Sequence, residues 1–208
     1  MHNLISKITS VNGCSVFTAL LISAASFSSQ AVVIVNTGTP VGTSEISIGN
    51  NFGQSQSLGG QFTVGANQNI TQIEAWMRTT LAGNMTVSLW FSVPDRFSAP
   101  VYSFTSSFAV AVEGWQVFNG FSWPVVPAIY AVTFSPAVGY AGNMRTGAPA
   151  PLSQYFYLNS GTPNWFSDST LGLGVRITAV PEPQSSLLMF AGIGVVGWAA
   201  RTRRPKVL

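Results

Sequence analysis

The sequence predicts an all-β fold, a single antiparallel β-sandwich of the jelly-roll kind, set between two terminal segments of different character. Three observations carry this expectation. Apolar and polar residues alternate with period two along several stretches of the middle of the chain, as they do in a strand with one buried face. Clusters of Gly, Pro, Asn and Asp punctuate those stretches. Charged residues, which include good helix formers, make up only 7% of the chain, and no lysine lies between residues 32 and 179. Many short strands without helical spacing between them read as a sandwich.

The elements follow in order. Residues 1–31 have a mildly basic start with Lys7, an uncharged run from Val16 to Ala25, and small residues at Ser29 and Ala31. That is the layout of a secretory signal peptide, with signal peptidase expected to cut after Ala31. Cys14 and His2, the single cysteine and histidine of the chain, would leave with it. The mature protein would then hold no thiol, imidazole or disulfide.

Residues 32–179 form the expected sandwich domain, long enough for a sizeable core. Strands are expected at 32–36, 45–49, 58–65 and 70–79. Met85, Val87, Leu89 and Phe91 then share one face of a strand, and Tyr102, Phe104, Phe108 and Val110 share one face of the next. Further strands are expected at 115–121, 128–135 and 153–158. A last one carries Leu171, Leu173, Val175, Ile177 and Ala179 on its inner face. Ala137 to Pro151, rich in Gly, Ala and Pro, reads as a loop.

Charge and chemistry narrow the function. The formal net charge of +3 belongs to the ends, because residues 32–179 carry four arginines against five carboxylates. No basic footprint for nucleic acid is present there. Without histidine or cysteine the domain lacks a serine triad, a thiol nucleophile and the usual zinc ligands. No catalytic residue, cofactor or metal is therefore expected, and the protein reads as a non-enzyme. Glu45, Glu74, Asp95, Glu113 and Asp168 are scattered and read as solvated surface. A calcium ion at Asp95 or Asp168 has no ligand spacing to support it. The Asn-X-Thr triplets at Asn69 and Asn84 read as strand starts. Trp76 and Trp90 face away from the inferred core on strands expected to be neighbours, and could form a stacking platform for sugar rings.

The segment 180–208 is the third element. Gly192, Gly194 and Gly197 have the spacing of a dinucleotide loop, but that fingerprint needs an acidic residue about 20 positions further on, and none of the residues after Gly197 is acidic, so that reading fails. The glycines sit instead in an uncharged run from Ser185 to Ala200, a short membrane helix. Pro181-Glu182-Pro183 precedes it, and Arg201, Arg203, Arg204 and Lys206 follow in a basic tail at 201–208. With the domain exported, the basic cluster stays inside and stops transfer.

Motif, helix (Leu187 to Ala200) and basic cluster in that order resemble the PEP-CTERM sorting signal. The resemblance implies an exported protein, held briefly in the inner membrane and handed to an exosortase that recognises Pro181-Glu182-Pro183 and removes the helix and tail. It implies diderm bacteria, many of them makers of exopolysaccharide, and a destination at the cell surface or outside it. The stretches Gln56 to Val64, Ile70 to Met77 and Val87 to Trp90, with Gly174 to Val180 leading into the motif, resemble the small β domains of the choice-of-anchor group, which bring no activity with them. The leading expectation is a surface or matrix protein with a structural or adhesive role. The alternative is a carbohydrate-binding module using Trp76 and Trp90, and a third reading is a glycoside hydrolase using two of the carboxylates.

Overall fold

The computed structural model describes residues 30–51, 54–95, 97–159 and 164–182. The expected signal peptide before residue 30, Pro183, the membrane helix at 185–200 and the basic residues Arg201, Arg203, Arg204 and Lys206 lie outside the described residues. Among the described residues there is no helix, and none therefore long and apolar enough to cross a membrane.

Twelve strands appear in chain order: β1 (Val32–Asn36), β2 (Glu45–Asn51), β3 (Gln54–Val64), β4 (Gln68–Leu81), β5 (Gly83–Phe91), β6 (Tyr102–Phe108), β7 (Ala111–Val125), β8 (Ala128–Pro136), β9 (Ala141–Arg145), β10 (Gln154–Asn159), β11 (Phe166–Asp168) and β12 (Val175–Pro181). All pairings are antiparallel, and the strands belong to one curled sheet in the order β1-β12-β4-β9-β2-β3-β8-β5-β6. Strand β7 pairs with the other edge of β4, and β10 pairs with β3 and β11. Residues Ala31–Glu182 make one compact unit.

The curl brings its two ends together through aromatic rings. Phe108 of β6 meets Phe118 of β7 at 5.0 Å between ring centres, Phe104 meets Phe121 at 5.1 Å, and Tyr102 stacks on Trp123 at 5.6 Å. Tilted and offset pairs of this kind add to the area they bury. The inward faces show the expected period of two. Ile73, Ala75 and Met77 on β4, Met85, Val87 and Leu89 on β5, Tyr130, Val132 and Phe134 on β8, and Val175, Ile177 and Ala179 on β12 are all buried and join one core. Tyr140 is completely buried in that core, its hydroxyl 3.2 Å from the Thr79 hydroxyl. Burial pushes its phenol above the ordinary value of 10.0, against the smaller opposing effect of the Thr79 bond. Tyr155 is raised in the same way, although its hydroxyl accepts the Leu152 N–H at 2.8 Å.

Three local expectations are corrected. Ala137 to Pro151 is not all loop, because β9 runs through it between β2 and β4. Its Ala-Gly-Asn-Met-Arg carries little strand propensity, so the pairing partners impose the conformation. Leu171 to Gly174 precedes β12 as extended loop rather than strand, with Gly172 in left-handed geometry at φ +50°. Strand β6 stops at Phe108, and Val110 is exposed in the turn beyond it.

Candidate functional site

The sorting triplet begins inside the sheet. Pro181 is the last residue of β12 and stands opposite Gln68 of β4, after Val180 opposite Asn69. The Glu182 N–H then reaches the Asn67 carbonyl at 3.5 Å. Proline lacks an N–H and cannot extend a ladder, so Pro181 ends the strand by its own chemistry. Both Pro181 and Glu182 are exposed. The first two residues of the motif, Pro181 and Glu182, therefore follow the sheet directly with no intervening linker.

The two tryptophans singled out for sugar stacking do not form one platform. Trp76 on β4 and Trp90 on β5 are close in sequence, but β9, β2, β3 and β8 lie between their strands in the sheet. The chain passes from β4 to β5 through Ala82 alone, and it turns a corner of the curl there instead of a hairpin. Each residue does face away from the core, as parity requires, and each is half-buried by a different neighbour. Trp76 packs edge-on against its cross-strand partner Trp115 at 5.5 Å. Its Cβ lies so close to Gly174 that a methyl group there would meet it at 2.5 Å, with the Pro40 ring at 2.8 Å. Its buried indole N–H has no hydrogen-bond partner among the described residues. Trp90 lies across β8, donates its N–H to the Thr133 hydroxyl at 2.9 Å, and meets Trp165 edge-on at 6.5 Å. Phe91, expected on the buried face with Leu89, is instead 64% exposed at the end of β5.

The scattered carboxylates are not simply solvated. Glu74 is only 7% exposed and pairs with Arg176, its cross-strand neighbour, at 3.2 Å. The same guanidinium lies over the Trp115 ring at 4.2 Å. Glu113 holds Arg145 in a two-pronged pair, with Nε and one terminal nitrogen each 2.7 Å from a carboxylate oxygen. Glu45 joins that group at 3.7 Å from both Arg145 and Arg78, and accepts from the Asn143 amide at 2.9 Å. Arg78, Arg145 and Arg176 thus each sit on glutamate. Asp95 accepts the Phe97 N–H at 3.2 Å, and Asp168 accepts the hydroxyl and N–H of Thr170 at 2.6 and 2.7 Å. Those bonds hold the Asp168 carboxyl below the usual carboxylate range. Among the described residues no three His, Cys, Asp or Glu groups come together. Sequence reading missed the ion pairs because partners lie far apart in the chain: Glu74 and Arg176 are 102 residues apart.

Comparison with curated proteins finds no match. The family model described as the PEP-CTERM protein-sorting motif matches residues 179–204, which start at the end of β12 and include the triplet. That motif marks a protein exported and processed by an exosortase at the membrane on its way to the cell surface. The chain thus carries a PEP-CTERM protein-sorting motif, joined directly to the closing strand of an all-β domain.

Proposed function

We propose that this protein is an exported structural or adhesive component of the cell surface or matrix, and that its β domain is cargo rather than catalyst. The observation that carries the reading is the junction at Pro181, where the sheet ends and the sorting signal begins. In this reading the curled sheet is a jelly-roll-like sandwich, compact enough to be exported and displayed whole. Pro181-Glu182-Pro183 is the recognition segment, pre-set as extended chain because proline fixes its own φ and keeps the preceding residue out of helical geometry. Leu187 to Ala200 holds the chain in the bilayer so that the triplet sits at the outer interface. Arg201, Arg203, Arg204 and Lys206 stop transfer, since a basic side chain at the bilayer centre costs roughly 2.5–3.5 kcal/mol on insertion scales.

A non-catalytic domain is supported by what the carboxylates do. Glycoside hydrolysis needs one carboxylic acid and one carboxylate facing each other across a substrate bond. Here Glu45 and Glu113 share the Arg145 guanidinium, and Glu74 is covered by Arg176.

The test is Glu182→Ala, expressed in a host with an exosortase. The expected result is uncut precursor retained in the membrane with its domain outside. Normal processing and release of that variant would reduce the segment to a simple membrane anchor.

A further inference from the structure

An open cleft of about 690 Å³ lies between the loop after β5 and the segment entering β11, lined by Phe91, Asp95, Ser98, Asn164, Trp165 and Phe166 among others. Its volume falls within the range of small-ligand sites. Its aromatic rings are held in place from behind. Phe91 packs edge-on against Tyr130 at 5.7 Å. Trp165 rests on Trp90, which is itself fixed by its bond to Thr133. Phe166 stacks on Tyr157 at 5.3 Å and 23°. Each supporting ring belongs to a paired strand: β8, β5 and β10.

Rings backed in this way lose little freedom when a ligand lands on them, yet Phe91 and Phe166 remain 64% and 42% exposed. Leaving apolar rings in water beside an open cleft is costly unless something covers them. The rim supplies polar groups suited to adjacent hydroxyls: the planar Asp95 carboxylate and Asn164 amide, and the Ser98 hydroxyl. Among the described lining residues the sole charge is the Asp95 carboxylate, which disfavours an anionic ligand.

We propose that this cleft binds a neutral polysaccharide chain, with Trp165 and Phe166 stacking on the C–H faces of its sugar rings and Asp95 and Asn164 bonding its hydroxyls. A sugar ring has an apolar face and an equatorial belt of hydroxyls, and these match the two kinds of group that line the cleft. The site differs from any that Trp76 could form, and Trp90 serves it from behind, as a support.

The experiment is calorimetric titration of the full chain in detergent micelles with cellohexaose, laminarihexaose and, as an anionic counterpart, hexagalacturonate. One of the two neutral hexasaccharides should bind with a Kd on the order of 0.1–1 mM, and the uronate more weakly. Trp165→Ala should weaken binding about tenfold while Trp165→Phe keeps most of it, because a ring is retained. Asp95→Ala, on the opposite wall and away from the core, should also weaken binding and guards against a folding defect in the tryptophan variant. Failure of both neutral oligomers to bind at about 10 mM, a preference for the uronate, or binding unchanged in Trp165→Ala and Asp95→Ala would overturn the proposal.

Discussion

Replacing Arg176 with Met strips the guanidinium from the outer face of β4 and leaves the Glu74 carboxylate without its ion-pair partner. Glu74 is 7% exposed, its oxygen lies 3.2 Å from Arg176, and the arginine also covers Trp115 at 4.2 Å. Removing one partner of a buried pair costs about 3–5 kcal/mol, most of it the penalty of a buried charge left alone. The Arg176 side chain is 30% exposed, so water can reach the vacated position, and the lower end, about 3 kcal/mol, applies. The lost cation–π contact adds about 0.5–1 kcal/mol, offset in part by packing of the methionine. For a domain of this size each kcal/mol moves Tm by roughly 2–4 °C, so the melt should fall by about 6–12 °C. The assay is thermal and urea unfolding of Arg176→Met, Glu74→Gln and the double variant. Glu74→Gln alone should cost about 1 kcal/mol, because Arg176 retains partial hydration. The double variant should recover to within about 1.5 kcal/mol of the parent, because no charge is left buried. A loss below about 1 kcal/mol for Arg176→Met, or a double variant as unstable as the two singles added together, would refute the reasoning.

Further outcomes follow from the same structure. A Gly-Ser-Gly insertion between Val180 and Pro181 should speed exosortase processing in a pulse-chase assay, because the triplet otherwise abuts the β12–β4 ladder; an unchanged rate would show that the enzyme accepts the junction as it stands. Gly174→Ala should lower Tm by several degrees, since the new methyl would meet the Trp76 Cβ at 2.5 Å and the Pro40 ring at 2.8 Å; a melt matching the parent would mean that the Pro40 loop moves aside freely. Tyr140 and Tyr155 have raised folded-state pKa values, so their contribution is fully present below pH 10.0 and is lost as pH rises beyond it. The urea midpoint should fall above pH 10, and Tyr155→Phe should flatten part of that fall. A fragment of residues 31–182 should fold alone and give a β-type circular dichroism spectrum, and a helical spectrum would contradict the fold.

Most strand positions, and the apolar face of each strand, are legible in the sequence alone. Period two at Met85 to Leu89 and at Val175 to Ala179 is a local property, readable without knowing any partner. The sorting signal is legible in the sequence as well, because the triplet, the uncharged run and the basic cluster act through their own order along the chain. Tertiary structure decided which strands are neighbours. Alternation tells which side of a sheet a residue faces and nothing about the strand beside it. That is why Trp76 and Trp90, fourteen residues apart and correctly turned outward, end on strands separated by four others. It is also why β9, with little propensity of its own, becomes a strand once β2 and β4 flank it. The carboxylates show the same division. Alone in sequence each reads as solvated, but the fold lays Arg176 beside Glu74 from 102 residues away and gathers Glu45, Glu113, Arg78 and Arg145 on one outer face. Pairings at such separations depend on the register of whole strands, which no short window of sequence contains.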